Sequence, residues 1–282
     1  KAERVGIYDV DVVQAREAAA AEQQGDLPAA ETAWARAAEL ATRVGEVIAA
    51  EYRLRLAGVV RTRGDVARAQ QILEGVLAVF EREVPGSLAV ANALTSLGTA
   101  AFGRGDLAAA QGYNERALAI REALLGDSIE VAGSLHNLGV ILRNRGDLDR
   151  ASELYGRSLA LYRQLVPRSA DEARVLNSLG VVSESRGELG RAEEYFRQAL
   201  RIREKLTPES LAVAGTLTNL GILAYKRGDL AGAEQLHERA LAIRQRIAPD
   251  SPDVANSLNE LGNVALERGQ LDRALDMYSR FV

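Results

Sequence analysis

A glycine followed by a polar residue recurs along this chain at nearly constant spacing, and alanine follows each of these glycines five positions later. The first two glycines are 39 residues apart, and each later one follows 41 residues after the last. They are Gly25, Gly64, Gly105, Gly146, Gly187, Gly228 and Gly269. A fixed period of this length is typical of stacked supersecondary units. The sequence therefore predicts a solenoid with its function in a surface groove.

Each unit has the apolar pattern of two α-helices joined by a turn. In the fourth unit Leu135, Leu138 and Ile141 recur at helical spacing before Gly146, a residue type that can adopt the left-handed conformation that ends helices. Asp147 follows as the predicted N-cap of the next helix. Serines are predicted to cap the first helices of five units: Ser87, Ser128, Ser169, Ser210 and Ser251. The pattern predicts an all-α fold of about seven helix-turn-helix repeats.

Small residues recur where the two helices of a unit are expected to cross. Glycines stand inside the first helices, where each costs about 1 kcal/mol relative to alanine: Gly98, Gly139, Gly180, Gly221 and Gly262. The alanine five residues after each turn glycine holds the matching early position of the second helix. We therefore predict that the helices of a pair nearly touch, and that a bulky side chain at either position separates them.

Composition limits the kinds of partner. Hydrophobic residues make up 47% of the chain and aromatic residues 5%, which suits alanine- and leucine-rich helices. The formal charge is −4, with acids and bases interspersed, so we predict no nucleic-acid partner. No apolar stretch approaches the roughly 20 residues that cross a bilayer, so we predict no membrane partner. The chain has no cysteine, which is compatible with the cytoplasm, the predicted location.

The sequence contains no recognisable catalytic, cofactor or metal motif. Its two histidines, His136 and His237, lie in different repeats without acidic residues at ligand spacing, so no metal site is predicted. We predict that His237 is a core residue with a hydrogen bond. No nucleophile elbow and no phosphate-binding glycine loop is present, so no catalytic residue and no cofactor is predicted. The recurring Arg-Gly-Asp tripeptide belongs to the repeat turn and is not read as an adhesion motif.

The repeat resembles the tetratricopeptide repeat, in the long variety found in kinesin light chains and many bacterial proteins. Two units carry the motif in full: Leu138-Gly139, Gly146, Ala151, Tyr155 and Ser158, then Leu179-Gly180, Gly187, Ala192, Phe196 and Ala199. Some units depart from it, since Asn114 and His237 hold the large-residue position and Ala18 replaces the first glycine. The resemblance covers nearly all 282 residues.

The resemblance implies a right-handed superhelix in which the first helices line a concave groove that binds a peptide or helix of a partner protein. By analogy, the groove residues are Asn92, Thr95, Phe102, His136, Asn137, Arg143, Asn144, Arg174, Asn177, Glu184, Thr218, Asn219, Tyr225, Lys226, Asn256, Asn259 and Asn263. Asparagine amides offer donors and acceptors to the backbone of an extended ligand. Arg143, Arg174 and Lys226 would favour acidic segments. Alternatively, these polar residues only face water on a concave surface and bind no ligand.

Three functions remain open from the sequence. The favoured one is a non-catalytic scaffold for protein–protein interaction. The second is a sensor or regulatory arm of a multidomain bacterial signalling enzyme such as a kinase, a caspase-like protease or an NTPase. The third, an enzyme in its own right, lacks any catalytic grouping. Because the chain opens without methionine and stops at Phe281-Val282, residues 1–282 are predicted to be one elongated domain from a longer bacterial polypeptide.

Overall fold

The computed structural model describes residues 2–280, with side chains from Val10 onward. This part of the chain contains fourteen α-helices and no strand, which confirms the all-α prediction. The helices are α1 (Ala2–Gln23), α2 (Leu27–Ala41), α3 (Glu46–Thr62), α4 (Val66–Glu83), α5 (Leu88–Gly103), α6 (Leu107–Leu125), α7 (Ile129–Asn144), α8 (Leu148–Leu165), α9 (Ala170–Ser185), α10 (Leu189–Leu206), α11 (Leu211–Lys226), α12 (Leu230–Ile247), α13 (Pro252–Glu267) and α14 (Leu271–Ser279). Phe281 and Val282, on which we partly based the prediction of a longer polypeptide, lie outside the described residues. None of the described helices is long and apolar enough to span a membrane.

The helices form two compact units, Lys1–Asp147 with α1–α7 and Leu148–Val282 with α8–α14. In the first unit α1 packs on α2, α3 on α4 and α5 on α6; in the second, α9 packs on α10, α11 on α12 and α13 on α14. Successive pairs stack through the second helix of one and the first helix of the next. First helices also touch across repeats, α3 with α5 in one unit and α11 with both α9 and α13 in the other. Within each unit, therefore, first helices lie side by side on one face.

The predicted turn glycines end the first helices as expected. All seven have a positive φ, between +72° and +95°, the left-handed region that glycine adopts without strain. At Gly105 the next amide, Asp106 N, donates to Ala101 O at 3.0 Å, which closes α5. The Asp106 carboxylate then accepts from Ala109 N at 3.0 Å and caps α6. One dipeptide thus ends one helix and begins the next.

The serine caps are confirmed at four of the five predicted positions. Ser87, Ser128, Ser169 and Ser210 each accept a hydrogen bond from the backbone amide three residues later. The prediction is wrong for Ser251, whose hydroxyl makes no cap. There the amide of Val254 donates to the Ser251 carbonyl oxygen at 3.0 Å and is not available to the side chain.

The helix crossing is close, but the glycine accommodates a different residue from the predicted one. A Cβ added to Gly180 would lie 2.4 Å from the Phe196 ring, and one added to Gly221 would lie 2.6 Å from the His237 ring. The early alanines are also buried; Ala192, for example, is fully inaccessible to solvent. The atoms nearest to the helix glycine nevertheless belong to the large residue that stands nine positions after the turn glycine. The glycine thus makes room for that side chain.

His237 is a core residue, as predicted, but the predicted hydrogen bond is absent. Its side chain is 1% exposed, and neither ring nitrogen has a hydrogen-bond partner within the described part of the chain. Burial, with the nearby Arg244 charge, lowers the pKa of His237 to about 4. The imidazole therefore acts as a neutral space-filling group beneath Gly221.

Replacing Gly180 by alanine is expected to destabilise the second unit by about 1–3 kcal/mol, because the new methyl group overlaps the buried Phe196 ring. The matched control is Gly156→Ala in α8, where an added Cβ meets no atom within 4 Å. That change should stabilise the protein by up to about 1 kcal/mol through helix propensity. Urea unfolding of both variants measures the difference. Equal effects would contradict the crowding at Gly180.

The pH dependence of stability should report the burial of His237. Between pH 6.5 and about 4, His237 is protonated in the unfolded chain but stays neutral in the folded chain. The free energy of unfolding therefore falls by about 1.4 kcal/mol per pH unit as pH drops through this window, and by about 3 kcal/mol in all. The full stabilisation is present above pH 6.5.

His237→Phe copies the arrangement of Phe196 beneath Gly180 and should remove this part of the pH dependence. Urea unfolding of both proteins at pH 7, 5.5 and 4.5 tests it, since other titrating groups are shared. A stability difference that stays constant across this pH range would show that His237 titrates normally.

Candidate functional site

The predicted groove residues lie on first helices of both units, and each unit is described separately. Solvent reaches most of them. Exposed residues are Asn92, Asn137, Asn144, Lys226 and Asn256; half-buried residues are Thr95, Phe102, Arg143, Arg174, Asn177, Glu184, Thr218, Asn219, Tyr225, Asn259 and Asn263. The prediction is wrong for His136, which is only 5% exposed. It belongs to the packed interior of its repeat, so its ring does not offer a surface to a ligand.

In the second unit the predicted residues contact one another across neighbouring first helices. The Asn219 side-chain amide on α11 donates to Asn177 Oδ1 on α9 at 3.2 Å. On the same two helices Lys226 Nζ lies 2.6 Å from Glu184 Oε1. The repeat thus aligns equivalent side chains, but their mutual bonds use part of the capacity that we predicted for a ligand.

Arginines on the second helices also bind some of the predicted groove residues, a role that we did not predict. The half-buried Arg121 on α6 donates to Asn92 Oδ1 at 2.8 Å, to Thr95 Oγ1 at 3.0 Å and to Ser134 Oγ at 2.6 Å. It therefore joins α5 to α7 through neutral acceptors. Burial lowers the pKa of Arg121, and the charge of the nearby Glu130 carboxylate offsets this only in part.

Arginines at the equivalent position contact the next repeat in the second unit, and one of them joins two first helices as Arg121 does. Arg203 on α10 donates to Thr216 Oγ1 on α11. Arg244 on α12 donates to Thr218 Oγ1 on α11 and to Ser257 Oγ on α13. We call Arg121, Arg203 and Arg244 the inter-repeat arginines, because each contacts the hydroxyl-bearing residue 13 positions further along the chain.

A signal for these arginines was present in the sequence. They stand 16 residues after a turn glycine, and the residue 13 positions further is Ser134, Thr216 or Ser257. Where the first position is aromatic, as in Phe80 and Tyr162, the second is apolar, as in Ala93 and Val175. The two positions thus change together between repeats, as expected for side chains in contact.

The Arg121–Ser134 contact can be tested with a double-mutant cycle that installs the Phe80–Ala93 pair. Arg121→Phe and Ser134→Ala should each destabilise the protein, because each removes one hydrogen bond from a partly buried polar partner. The double variant should lose less than the sum, with a coupling of about 1 kcal/mol by urea unfolding. A control cycle combines Ser134→Ala with Arg116→Ala and should be additive, because Arg116 pairs with Glu81 elsewhere on the surface. Additivity in both cycles would contradict the proposed contact between Arg121 and Ser134.

Two adjoining cavities open on the first unit, beside the predicted residues Asn92 and Thr95. One has a volume of about 530 Å³ and reaches Arg121; the other has about 550 Å³ and is lined by the aromatic residues Trp34, Tyr52 and Phe80. Both are lined by Leu54, Arg55 and Asn92. A smaller cavity of about 150 Å³ brings together the predicted residues Phe102 and Asn137.

The walls of the two larger cavities combine aromatic rings with the positively charged guanidinium of Arg55. The Trp34 and Tyr52 ring centroids are 5.8 Å apart, and the Trp34 ring nitrogen donates to Glu22. Burial, with nearby carboxylates, raises the pKa of Tyr52, which stays neutral. Arg55 is exposed and forms no ion pair or hydrogen bond with any residue whose side chain is described. The site therefore offers an apolar recess next to a guanidinium that forms no hydrogen bond or ion pair, with the carboxylates of Glu22 and Glu51 also on the cavity walls.

We missed these residues because the groove positions were not extended to the second repeat. Counted back from Gly64 as the predicted residues were from later turn glycines, those positions hold Glu51, Leu54, Arg55, Gly58, Arg61 and Thr62. All of them except Arg61 line one or both cavities. No group of three or more histidine, aspartate or glutamate residues in the described part of the chain is arranged to hold a metal ion.

The fold and repeat geometry agree with a comparison of the sequence with known protein families. A tetratricopeptide repeat model matches residues 46–123, 130–205 and 212–280, which is well over half of the chain. The chain belongs to the tetratricopeptide repeat family. Its repeats are of the long, kinesin-light-chain-like type, as predicted. Such repeats are in general non-catalytic interaction modules.

Several solved structures are similar to this chain. BtubC (BKLC) from P. vanneervenii is 26% identical, over 77% of this chain and 87% of BtubC, with a TM-score of 0.66. A Rap protein in complex with Competence and Sporulation Factor is 16% identical, over 96% of this chain and 75% of that protein, with a TM-score of 0.67.

A third similar structure is a Signal Transduction ATPase with Numerous Domains from Pyrococcus horikoshii, which has a tetratricopeptide repeat sensor. It is 15% identical, over 96% of this chain but only 42% of that protein, with a TM-score of 0.78. At these low identities the Rap protein and the ATPase show the shared fold alone. No curated protein sequence matched the chain.

Proposed function

We propose that this protein is a non-catalytic interaction scaffold that binds a segment of a partner protein on the first-helix face of its repeats. The observation that carries this proposal is the pair of adjoining cavities that share Leu54, Arg55 and Asn92. Together they offer successive recesses for side chains of one extended peptide. The family supports the proposal, since its repeats are interaction modules.

The chemistry of the cavities indicates which peptides fit. An apolar or aromatic side chain would contact the half-buried Tyr52 and the exposed Leu88, beside the buried rings of Trp34 and Phe80. Burial of its surface there stabilises the complex by about 25 cal/mol per Å². A neighbouring carboxylate would pair with Arg55, whose planar guanidinium can bind it through two hydrogen bonds. The exposed Asn92 amide can bind the peptide backbone through its free donor hydrogens, although its oxygen already accepts from Arg121. The favoured ligand is therefore a segment with an acidic residue next to an apolar one.

The same proposal assigns no catalytic activity to this chain, no nucleic-acid or membrane partner, and a cytoplasmic location. This part of the proposal is supported by the absence of cysteine and by the interspersed charges with a net value of −4. The two histidines, His136 and His237, are each buried in the interior of a different repeat. A buried, neutral His237 has no access to a substrate proton.

The test begins with selection of peptides from a displayed random library on the 282-residue chain, followed by calorimetry with a synthetic selected peptide. Arg55→Gln should weaken binding at least about tenfold, since it removes a charge-assisted contact. Arg53→Gln is the matched control on the same helix, because Arg53 lies near Glu46 and lines neither cavity. Its affinity should equal that of the unmodified protein.

A variant of the second unit, with Arg174, Asn177 and Tyr225 all replaced by alanine, locates the site further. Retention of binding in this variant, together with loss in Arg55→Gln, supports the cavities of the first unit. The opposite result, with binding lost only in the triple variant, would reject those cavities and assign recognition to the second unit. Selected peptides that bind no better than their scrambled versions would contradict the scaffold function itself.

A second candidate function is a sensor or regulatory arm of a multidomain signalling protein. It is favoured by the similarity of nearly this whole chain to part of an ATPase that has a tetratricopeptide repeat sensor. The complete reading frame provides the test. An adjoining kinase, protease or NTPase domain, with an activity that changes when the repeats bind a selected peptide, would support this function, and an isolated repeat protein would exclude it.

A further inference from the structure

A cavity of about 420 Å³ lies at the end of α10 in the second unit, beside the loop that precedes α9. Its apolar part is formed by Ile202 and Leu206. Three cationic residues, Arg168, Arg201 and Lys205, complete its wall together with Gln198. None of these residues belongs to the first-helix face described above. The cavity is therefore separate from the proposed peptide site.

The cations of this cavity have no acidic partner. The side chains of Arg168, Arg201 and Lys205 form no ion pair with any residue in the described part of the second unit. Glu172 lies beside Arg168, but its carboxylate accepts from Arg163 Nε at 3.1 Å and from the backbone amide of Arg168 at 2.6 Å. The cavity therefore combines three uncompensated positive charges with an apolar surface.

Comparison of the repeats shows that this charge arrangement is specific to one position. One repeat later, Glu209 in the loop before α11 forms a salt bridge with Arg246 near the end of α12. The corresponding pair at the cavity is Arg168 and Lys205, each 41 residues earlier, and both are positive. Two like charges thus stand where the next repeat has an ion pair. Such a local break of the repeat pattern is expected at functional sites.

Arg201 adds a third charge that the other repeats lack. The equivalent positions of four other repeats are all alanine: Ala78, Ala119, Ala160 and Ala242. The helix therefore does not need a long or charged side chain at this position for its packing. Arg201 increases the positive potential of the cavity without forming an internal bond in the described unit.

The backbone of Arg168 is also unusual. It has a φ of +60° and is the one non-glycine residue in the described chain with a positive φ. Gly86, two repeats earlier at the equivalent position, has a φ of +68°. The hydrogen bond from the Arg168 amide to the buried Glu172 holds this strained conformation. Strain of this kind concentrates at ligand sites, where the surrounding structure fixes it.

We propose that this cavity binds a phosphate monoester carried by an aromatic or other apolar group. A dianionic phosphate matches the three cations, and arginine forks bind phosphate oxygens in pairs. The apolar carrier would contact Ile202 and Leu206. The cavity volume lies within the range of small-molecule sites. This site does not depend on the peptide site of the first unit.

Calorimetry of the whole chain with phenyl phosphate at low ionic strength tests the proposal. Saturable binding is expected, with weaker binding of inorganic phosphate, which lacks the apolar group, and no binding of phenol, which lacks the charge. Acetyl-phosphotyrosine amide distinguishes the source of the phosphate. Its binding would favour a phosphorylated side chain of a protein, whereas binding of phenyl phosphate alone would favour a free small molecule. Absence of binding by both would overturn the proposal.

Three variants make the test specific to the cavity. Arg201→Ala, which installs the residue of the other repeats, should weaken phenyl phosphate binding at least about tenfold. Arg246→Ala is the matched control, since it removes one charge from the adjacent repeat, where the arginine already pairs with Glu209. Arg168→Gly should weaken binding and raise the thermal midpoint, because it relieves backbone strain. Equal losses in Arg201→Ala and Arg246→Ala would show nonspecific charge attraction and reject the site.

Discussion

The fold depends on the close crossing of the two helices of each repeat. A glycine in the first helix leaves space that a large side chain of the second helix fills, as Phe196 does at Gly180 and His237 does at Gly221. A methyl group at the glycine would overlap the ring, so the distance between the helices is fixed by the smallest residue type. Because the pairs that carry this glycine share one helix-to-helix distance, they stack in register, and equivalent first-helix residues come to lie beside one another. Ala18 and Ala57 hold the same position in the first two repeats.

Stacking of repeats has a second determinant in the inter-repeat arginines. Arg121 and Arg244 each connect the first helices on either side of their own helix, through neutral acceptors. These bonds occupy Asn92, Thr95 and Thr218, which were predicted to serve a ligand. A polar residue on the first-helix face can therefore stabilise the solenoid, bind a partner, or do both. The unpaired Arg55 and the aromatic recess beside it are free of this competing role.

The sequence predicted the fold well because the information that specifies it is local and repeated. The turn glycines, the aspartate and serine caps and the apolar spacing each act within a few residues, and repetition removes chance matches. Ser251 shows the limit of this approach, since a backbone carbonyl took the amide that its hydroxyl was expected to bind. The residues that line the cavities of our proposed site were predicted less completely. The list contained Asn92 and Thr95 but omitted Arg55 and Trp34, and it included the buried His136.

The sequence by itself determined the repeat length, the all-helical class, the helix boundaries and the family, because these follow from spacing and capping along the chain. Only the tertiary structure decided which side chains bind one another and which remain available. Asn177 and Asn219 are 42 residues apart and meet only because two repeats stack. Likewise, the positive cavity at Arg168, Arg201 and Lys205 exists only where a loop and a helix end come together. Hydrogen bonds and uncompensated charges depend on three-dimensional distance, which periodicity along the chain does not specify.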